Sequence, residues 1–293
     1  VIRRRVAATH PPFGLVLAGG GSRGLAHAGV LRALEHYGYR PSAIVGVSMG
    51  AIVGATYGLN PDWYQALLHM DTTGFPEPPA PRSLALGERL RSLKAYQKVA
   101  WSVLTAWGPG QRALPYGMVL LERLTLGRDL EDSALPVAAV ATDLVSGERV
   151  VMQEGRAADA LYASAALAGV LPPLEREGRL LADGAYADVA PIDVVKALGA
   201  AVVIAVQPSP PQMPSRTVRN GVQAMIRALE ICHHQHSHLR FAQADLVLEP
   251  RFPWPIDTLD FGHKAICVAA GIQVVRAALP RLRGLLGTNT VSA

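Results

Sequence analysis

The stretch FGLVLAGGGSRGLAHAGVLRALEHYGYRPSAIVGVSMGAIVGATY, Phe13 to Tyr57, decides the fold. Phe13 to Ala18 is a continuous apolar run of strand length, which predicts a buried strand. A glycine cluster follows, then a helical pattern from about Leu25 to Tyr37 with Val30, Leu31 and Leu34 on one face. Ala43 to Val47 is a second buried run, and a small-residue helix follows it to about Tyr57. Strand–glycine turn–helix units in succession predict an α/β fold with a mostly parallel sheet.

Within this stretch and just beyond it, Pro41 to Pro61 carries no charge, and Gly46, Gly50, Gly54 and Gly58 recur every four residues. Membrane helices pack through such small residues. The segment opens with a β-like run, however, and the same glycines suit a helix packed closely on a sheet. Downstream, Val137–Ala141, Arg149–Met152, Leu180–Ala182, Val202–Val206 and Leu246–Leu248 read as strands. Helices are expected over Arg156–Ala168, Ile192–Leu198, Thr217–Arg240 and His263–Leu279. The proline-rich segments FPEPPAP (Phe75–Pro81) and QPSPPQMPSR (Gln207–Arg216) must be loops. Between them, Leu84–Trp107 has helical character, with Arg89, Arg91, Lys94 and Lys98 beside Tyr96, Trp101 and Trp107. That composition suits a helix with one solvated face or an interfacial membrane element.

The 293 residues are 50% hydrophobic and 17% charged, which excludes general disorder. The reading is a basic tail over 1–12 and one domain over 13–293, because the motifs that need one site are spread from Gly19 to Asp183. Residues 75–110 would form a lid or membrane-contact insertion. The basic start, Arg3 to Arg5, runs into Pro11 and Pro12 instead of an apolar core, unlike a secretory signal. Cys232 and Cys267 are too few for a disulfide scaffold, and are expected to be free core thiols in a reducing cytosol. The net charge of +5 comes from scattered arginines. With no zinc-finger spacing and no RNA-binding aromatic signature, nucleic acid is not the expected partner. An anionic membrane surface, touched peripherally, is.

Three motifs carry chemistry. Gly19-Gly20-Gly21-Ser22-Arg23-Gly24 follows a strand and opens a helix. A dinucleotide site would need an acid roughly 20 residues on, where Tyr39, Arg40, Pro41 and Ser42 stand instead. What remains is a nest of backbone amides at a helix start, suited to a phosphate or an oxyanion. Gly46-Val47-Ser48-Met49-Gly50 is G-x-S-x-G between a strand and a helix, the context of a nucleophile elbow. It exposes Ser48 at the carboxyl edge of the sheet. Asp183-Gly184-Ala185 places an aspartate at a strand end, where it would take a proton from Ser48 if within hydrogen-bond reach. A histidine base is the alternative, from His263 or from His233, His234, His236 and His238. His234 and His238 are also spaced as metal ligands, but no carboxylate or cysteine completes a site.

Together and in this order, GGGSRG, GVSMG and DGA resemble the patatin-like phospholipase family, in particular its bacterial, neuropathy-target-esterase-like branch. AGGGSRGLAHAGVLRALE, ATDLVSGERV from Ala141 and ASAALAGVLPP from Ala163 extend the likeness from Phe13 to about Gln207. ADLVLEP from Ala244 is more loosely similar. The resemblance implies a three-layer α/β/α fold and a serine–aspartate dyad, with Ser48 as nucleophile and Asp183 as base. It assigns the oxyanion hole to Gly19–Gly24, chiefly Gly20, Gly21 and the Ser22 amide, with Arg23 orienting that loop or attracting an anionic head group. It implies a lipid ester as substrate and needs neither metal nor organic cofactor. The segments Phe75–Trp107 and Arg251–Pro255 would line or cover an acyl groove. One position departs from the family pattern: Asp188 stands where asparagine is common, and a second carboxylate there would raise the pKa of its neighbour. The acyl-serine of such an enzyme passes to water or to another alcohol. A catalytically silent lipid-binding module is the non-enzymatic alternative. Oligomeric state is open.

Overall fold

The computed structural model describes residues 10–73, 114–208, 218 and 221–287. The strands are β1 (Phe13–Leu17), β2 (Ala43–Val47), β3 (Val137–Asp143), β4 (Arg149–Met152), β5 (Leu174–Arg176), β6 (Arg179–Asp183), β7 (Val202–Val206) and β8 (Leu246–Leu248). The helices are α1 (Ala26–His36), α2 (Met49–Leu59), α3 (Trp63–Leu68), α4 (Leu114–Thr125), α5 (Ala157–Ala165), α6 (Ile192–Ala197), α7 (Gly221–Phe241) and α8 (Lys264–Leu286). The expected lid, 75–110, and the Leu84–Trp107 stretch lie outside the described residues, as do residues 1–9 of the basic tail.

One eight-stranded sheet runs in the hydrogen-bonded path β5-β6-β3-β2-β1-β7-β8, with β4 as a further partner of β3. The pairs β3–β2, β2–β1, β1–β7 and β7–β8 are parallel; β4 and β6 run antiparallel to β3. Strand residues alternate between two cores, as the two-residue period requires. Leu15, Leu17, Ile44 and Ile204 pack with α1, α2 and α8 on one face. Val16, Val45, Val203 and Ala205 pack with α6 on the other. This is the helix–sheet–helix layering of an α/β fold.

The register explains how the two ends of the site come together. β3 pairs with β2 up to Val47↔Val140, and with β6 from Ala141↔Asp183 onward. β4 overlaps both pairings, so it takes the opposite edge of β3. β2 therefore leaves β3 at Ser48, and β6 occupies the vacated edge from the other direction. The carboxyl ends of β2 and β6 meet head to head.

The uncharged segment Pro41–Pro61 forms β2, the elbow and α2 inside the core, not a membrane span. Among the described residues one helix, Phe261–Leu286, is long and apolar enough to cross a membrane by length and composition. It lies along α1 with the backbones in contact, since side chains on Gly29 and Gly271 would strike Val268 and Ala26 carbonyls. It also continues through Pro280, past the stop expected at Leu279. Cys267 is buried, but Cys232 is exposed on α7, which corrects the reading of two core thiols. β5, α3 and α4 were not expected: β5 is a three-residue edge strand, and Pro115 and Gly117 break the helical pattern of α4.

Candidate active site

Ser48 sits between β2 and α2 with φ 54° and ψ −125°, a left-handed conformation that is costly for a residue with a side chain. The turn closes only because its flanks are glycine. A Cβ on Gly46 would collide with the backbone of Ala51, and one on Gly50 with the Leu17 carbonyl. The Ser48 amide donates to Ser164 Oγ at 2.9 Å, and that hydroxyl donates to the Val140 carbonyl at 2.6 Å.

Asp183 closes β6 and is buried. Its Oδ1 accepts the Ala185 amide at 2.9 Å. Burial raises its pKa to about 6; the hydrogen bond from the Ala185 amide and the neighbouring Ser48 hydroxyl oppose the rise. Its backbone is fastened as well. The Asp183 amide donates to the Ala166 carbonyl at 3.0 Å, and Thr142 Oγ1 donates to the Asp183 carbonyl at 2.9 Å.

Asp188 has a different task from the one expected. It is buried, and Arg149 and Arg240 each reach its Oδ2 at 2.7 Å; Arg240 Nε also donates to Oδ1 at 2.9 Å. Both arginines also bond Asp193, at 2.6 to 2.8 Å. The Arg149 guanidinium holds the Asp193 carboxyl well below the usual carboxylate range, with Arg240 adding to the effect. Asp188 is not among the groups that shift Asp183. It anchors α7 to the segment after Asp183.

The glycine block leaves β1 and turns into a short 3-10 helix, Gly21–Leu25. One expectation fails here. The Ser22 amide donates to the Thr258 carbonyl at 2.8 Å, and its hydroxyl donates to the Asp257 carbonyl at 2.7 Å, so this amide is committed elsewhere. The amides of Gly20 and Gly21, at the helix start, donate to no acceptor among the described residues. Arg23 Nε folds back to the Gly20 carbonyl at 3.4 Å, which is the loop-orienting option. His27 lies beneath, fully buried, with Nε2 at 2.8 Å from the Ala18 carbonyl. Burial lowers its pKa to about 4, so the ring is neutral near pH 7.

These groups meet on one cavity of about 1710 Å³ lined by Gly19, Gly20, Gly21, Arg23, Ser48 and Asp183. One wall is apolar, with Ile52, Leu120, Leu121, Leu124, Leu167 and Leu171. Another carries His233, His234 and Ser237 of α7 together with Arg251–Pro255. His263 does not line it; its Nδ1 pairs with Asp260 at 3.2 Å. Among the described residues, no group of three or more His, Cys, Asp or Glu is placed to hold a metal ion.

Sequence reasoning missed Ser164 and Thr142. Their signal was present but faint: one polar residue in the apolar run Ala163–Ala166, and one at the end of a buried strand.

An uncharacterised NTE family protein of Mycobacterium tuberculosis is 34% identical over 201 residues, 67% of this chain and 49% of the relative. The lysophospholipase NTE1 of Cryptococcus neoformans is 32% identical over 194 residues, 66% of this chain and 11% of the relative. The chain thus spans about half the length of the mycobacterial relative and a small part of the fungal one. The crystal structure of VipD from Legionella pneumophila shares the fold, with a TM-score of 0.52 over 92% of this chain and 67% of that one, at 16% identity. The family profile described as patatin-like phospholipase matches residues 15–196, from β1 into α6, taking in the glycine block, the elbow and Asp183. On that match the chain belongs to the patatin-like phospholipase family.

Proposed function

We propose that this chain is a serine acyl-ester hydrolase acting on lipids, of phospholipase A or lysophospholipase type. The observation that carries the reading is a serine on a strained elbow and a buried aspartate that line the same large, mostly apolar cavity. In this reading Ser48 attacks the ester carbonyl while Asp183 accepts its proton. The developing oxyanion turns to the amides of Gly20 and Gly21, with Gly19, Arg23 and Gly24 shaping the loop. Such a donor contributes about 3 kcal/mol to the transition state. The alcohol leaves with the proton from Asp183, and an acyl-serine remains. Asp183 then takes a proton from water as its oxygen bonds the acyl carbon, the bond from that carbon to Ser48 Oγ breaks, and the proton returns to Oγ, which releases the fatty acid. The base must be ionised to act, so its raised pKa puts the rising limb of activity near pH 6. No step calls for a metal or organic cofactor.

The apolar wall suits the acyl chain. Tyr186 and Trp254 line the cavity and remain 45% and 48% exposed, where the cavity meets solvent. Aromatic rings with polar tips favour a lipid–water boundary, which supports peripheral contact with a lipid surface.

The test is hydrolysis of a short-chain p-nitrophenyl ester and of a lysophospholipid by wild type, Ser48→Ala and Asp183→Asn. Both variants should lose all but a small residue of the rate on both substrates. Folded variants that match wild type would refute the dyad. Product analysis with an added acceptor alcohol separates hydrolysis from acyl transfer.

A further inference from the structure

The hydroxyl of Ser164 and the carbonyl of Ala166 stand two residues apart at the end of α5. Each holds the backbone amide of a different member of the proposed dyad. Ser48 N–H donates to Ser164 Oγ at 2.9 Å, and Asp183 N–H donates to Ala166 O at 3.0 Å. Ser164 is fully buried and passes its own proton to Val140 O at 2.6 Å. Its hydroxyl thus splices into the gap between β2 and β3 where β2 departs at the elbow. It is both acceptor and donor there, so no apolar side chain can replace it without leaving two buried polar groups unpaired.

We infer that Ser164 is a positioning residue: its hydroxyl bridges the Ser48 amide to Val140 and holds the elbow at the distance from Asp183 that proton transfer needs. This rests on the reading of Ser48 as nucleophile. Removing the bridge leaves the cavity walls intact, so binding of substrate is spared while the approach of Ser48 Oγ to its base is loosened. Small displacements of a reacting group cost about 100-fold in rate.

The experiment compares Ser164→Ala with Ala160→Gly, another buried position of α5 that touches neither amide. Turnover of a p-nitrophenyl ester, the rate of Ser48 phosphonylation by a fluorophosphonate at saturation, and Tm are measured for each. Ser164→Ala should lower kcat and the phosphonylation rate by about 10- to 100-fold with KM within about twofold. Ala160→Gly should lower Tm and leave both rates near wild type. Ser164→Cys, which keeps a weak donor and acceptor, should fall between wild type and alanine, and serves alone if the alanine variant does not fold. Unchanged rates in the serine variants, or equal losses in Ser164→Ala and Ala160→Gly, would overturn the inference. If Ser48→Ala itself retained turnover and no phosphonyl group attached to Ser48, the hydrolase reading would have failed instead.

Discussion

The two halves of the site are built by different physics. The Ser48 half is a backbone construction: a left-handed serine between glycines whose absent side chains let β2, α2 and β1 touch. The Asp183 half shares one such close approach, Gly184 on the Val140 carbonyl, but is otherwise a side-chain construction: a buried carboxylate at a strand end, followed by an ion cluster that ties α7, β4 and α6 together. Backbone construction dictates residue type at fixed spacing. Side-chain construction depends on partners dozens of residues away. The positions where backbones touch, Gly184 included, should therefore be brittle to a single methyl group, and the ion cluster graded in its response.

The largest effect is expected at the elbow. Gly50→Ala places a methyl group on the Leu17 carbonyl inside the core. The loss should exceed about 3 kcal/mol or prevent folding, seen by thermal denaturation. A variant with wild-type Tm would show that the elbow can relax, and the contrast between the halves would collapse.

Next comes Asp183→Asn, which separates activity from stability. The fold raises this carboxyl from an ordinary value near 3.9 to about 6. The protonated form is favoured in the native state, so its stabilising contribution is complete below about pH 4 and is lost as the pH rises through about 6. Asparagine mimics that protonated form. The variant should be nearly inactive yet more stable than wild type at pH 8, by up to about 3 kcal/mol. The difference should vanish below about pH 4. Denaturation at both pH values checks this, and a variant less stable at pH 8 would reverse the sign.

The ion cluster should respond more gently. Arg240→Ala leaves Asp188 buried with Arg149 alone, a loss of about 1 to 3 kcal/mol read as a lower Tm. Asp188→Asn should also lower Tm, while the pH midpoint of kcat/KM stays where it is. A moved midpoint would mean that Asp188 and Asp183 are electrostatically coupled after all. The smallest effect is expected from His263→Ala, with turnover within about twofold of wild type. A loss of 100-fold or more would restore a histidine base.

What the sequence disclosed follows the same division. The glycine block, the elbow and Asp183-Gly184-Ala185 were legible because close backbone approach restricts residue type locally. β2, β4, β7 and β8 match their apolar runs end to end. β5 was illegible because Leu174–Arg176 is a short edge strand with no apolar alternation. The occupation of the Ser22 amide by Thr258 was invisible, since it joins segments 236 residues apart in sequence through a loop carbonyl. Asp188 was visible as a departure from the family pattern, but its partners Arg149 and Arg240 come from other elements, and only the packed chain shows that its charge is already balanced. The role of Ser164 was hidden for the same reason.

The central claim is that Ser48 is the nucleophile and Asp183 the base that activates it. Its most direct test is to treat the protein with a fluorophosphonate across pH 4 to 9 and locate the adduct by peptide mass spectrometry. One adduct is expected, on Ser48, forming at a rate that rises through a midpoint near pH 6 and falls to a small fraction in Asp183→Asn. An adduct on another residue, or Ser48 labelling in Asp183→Asn at the wild-type rate, would contradict it.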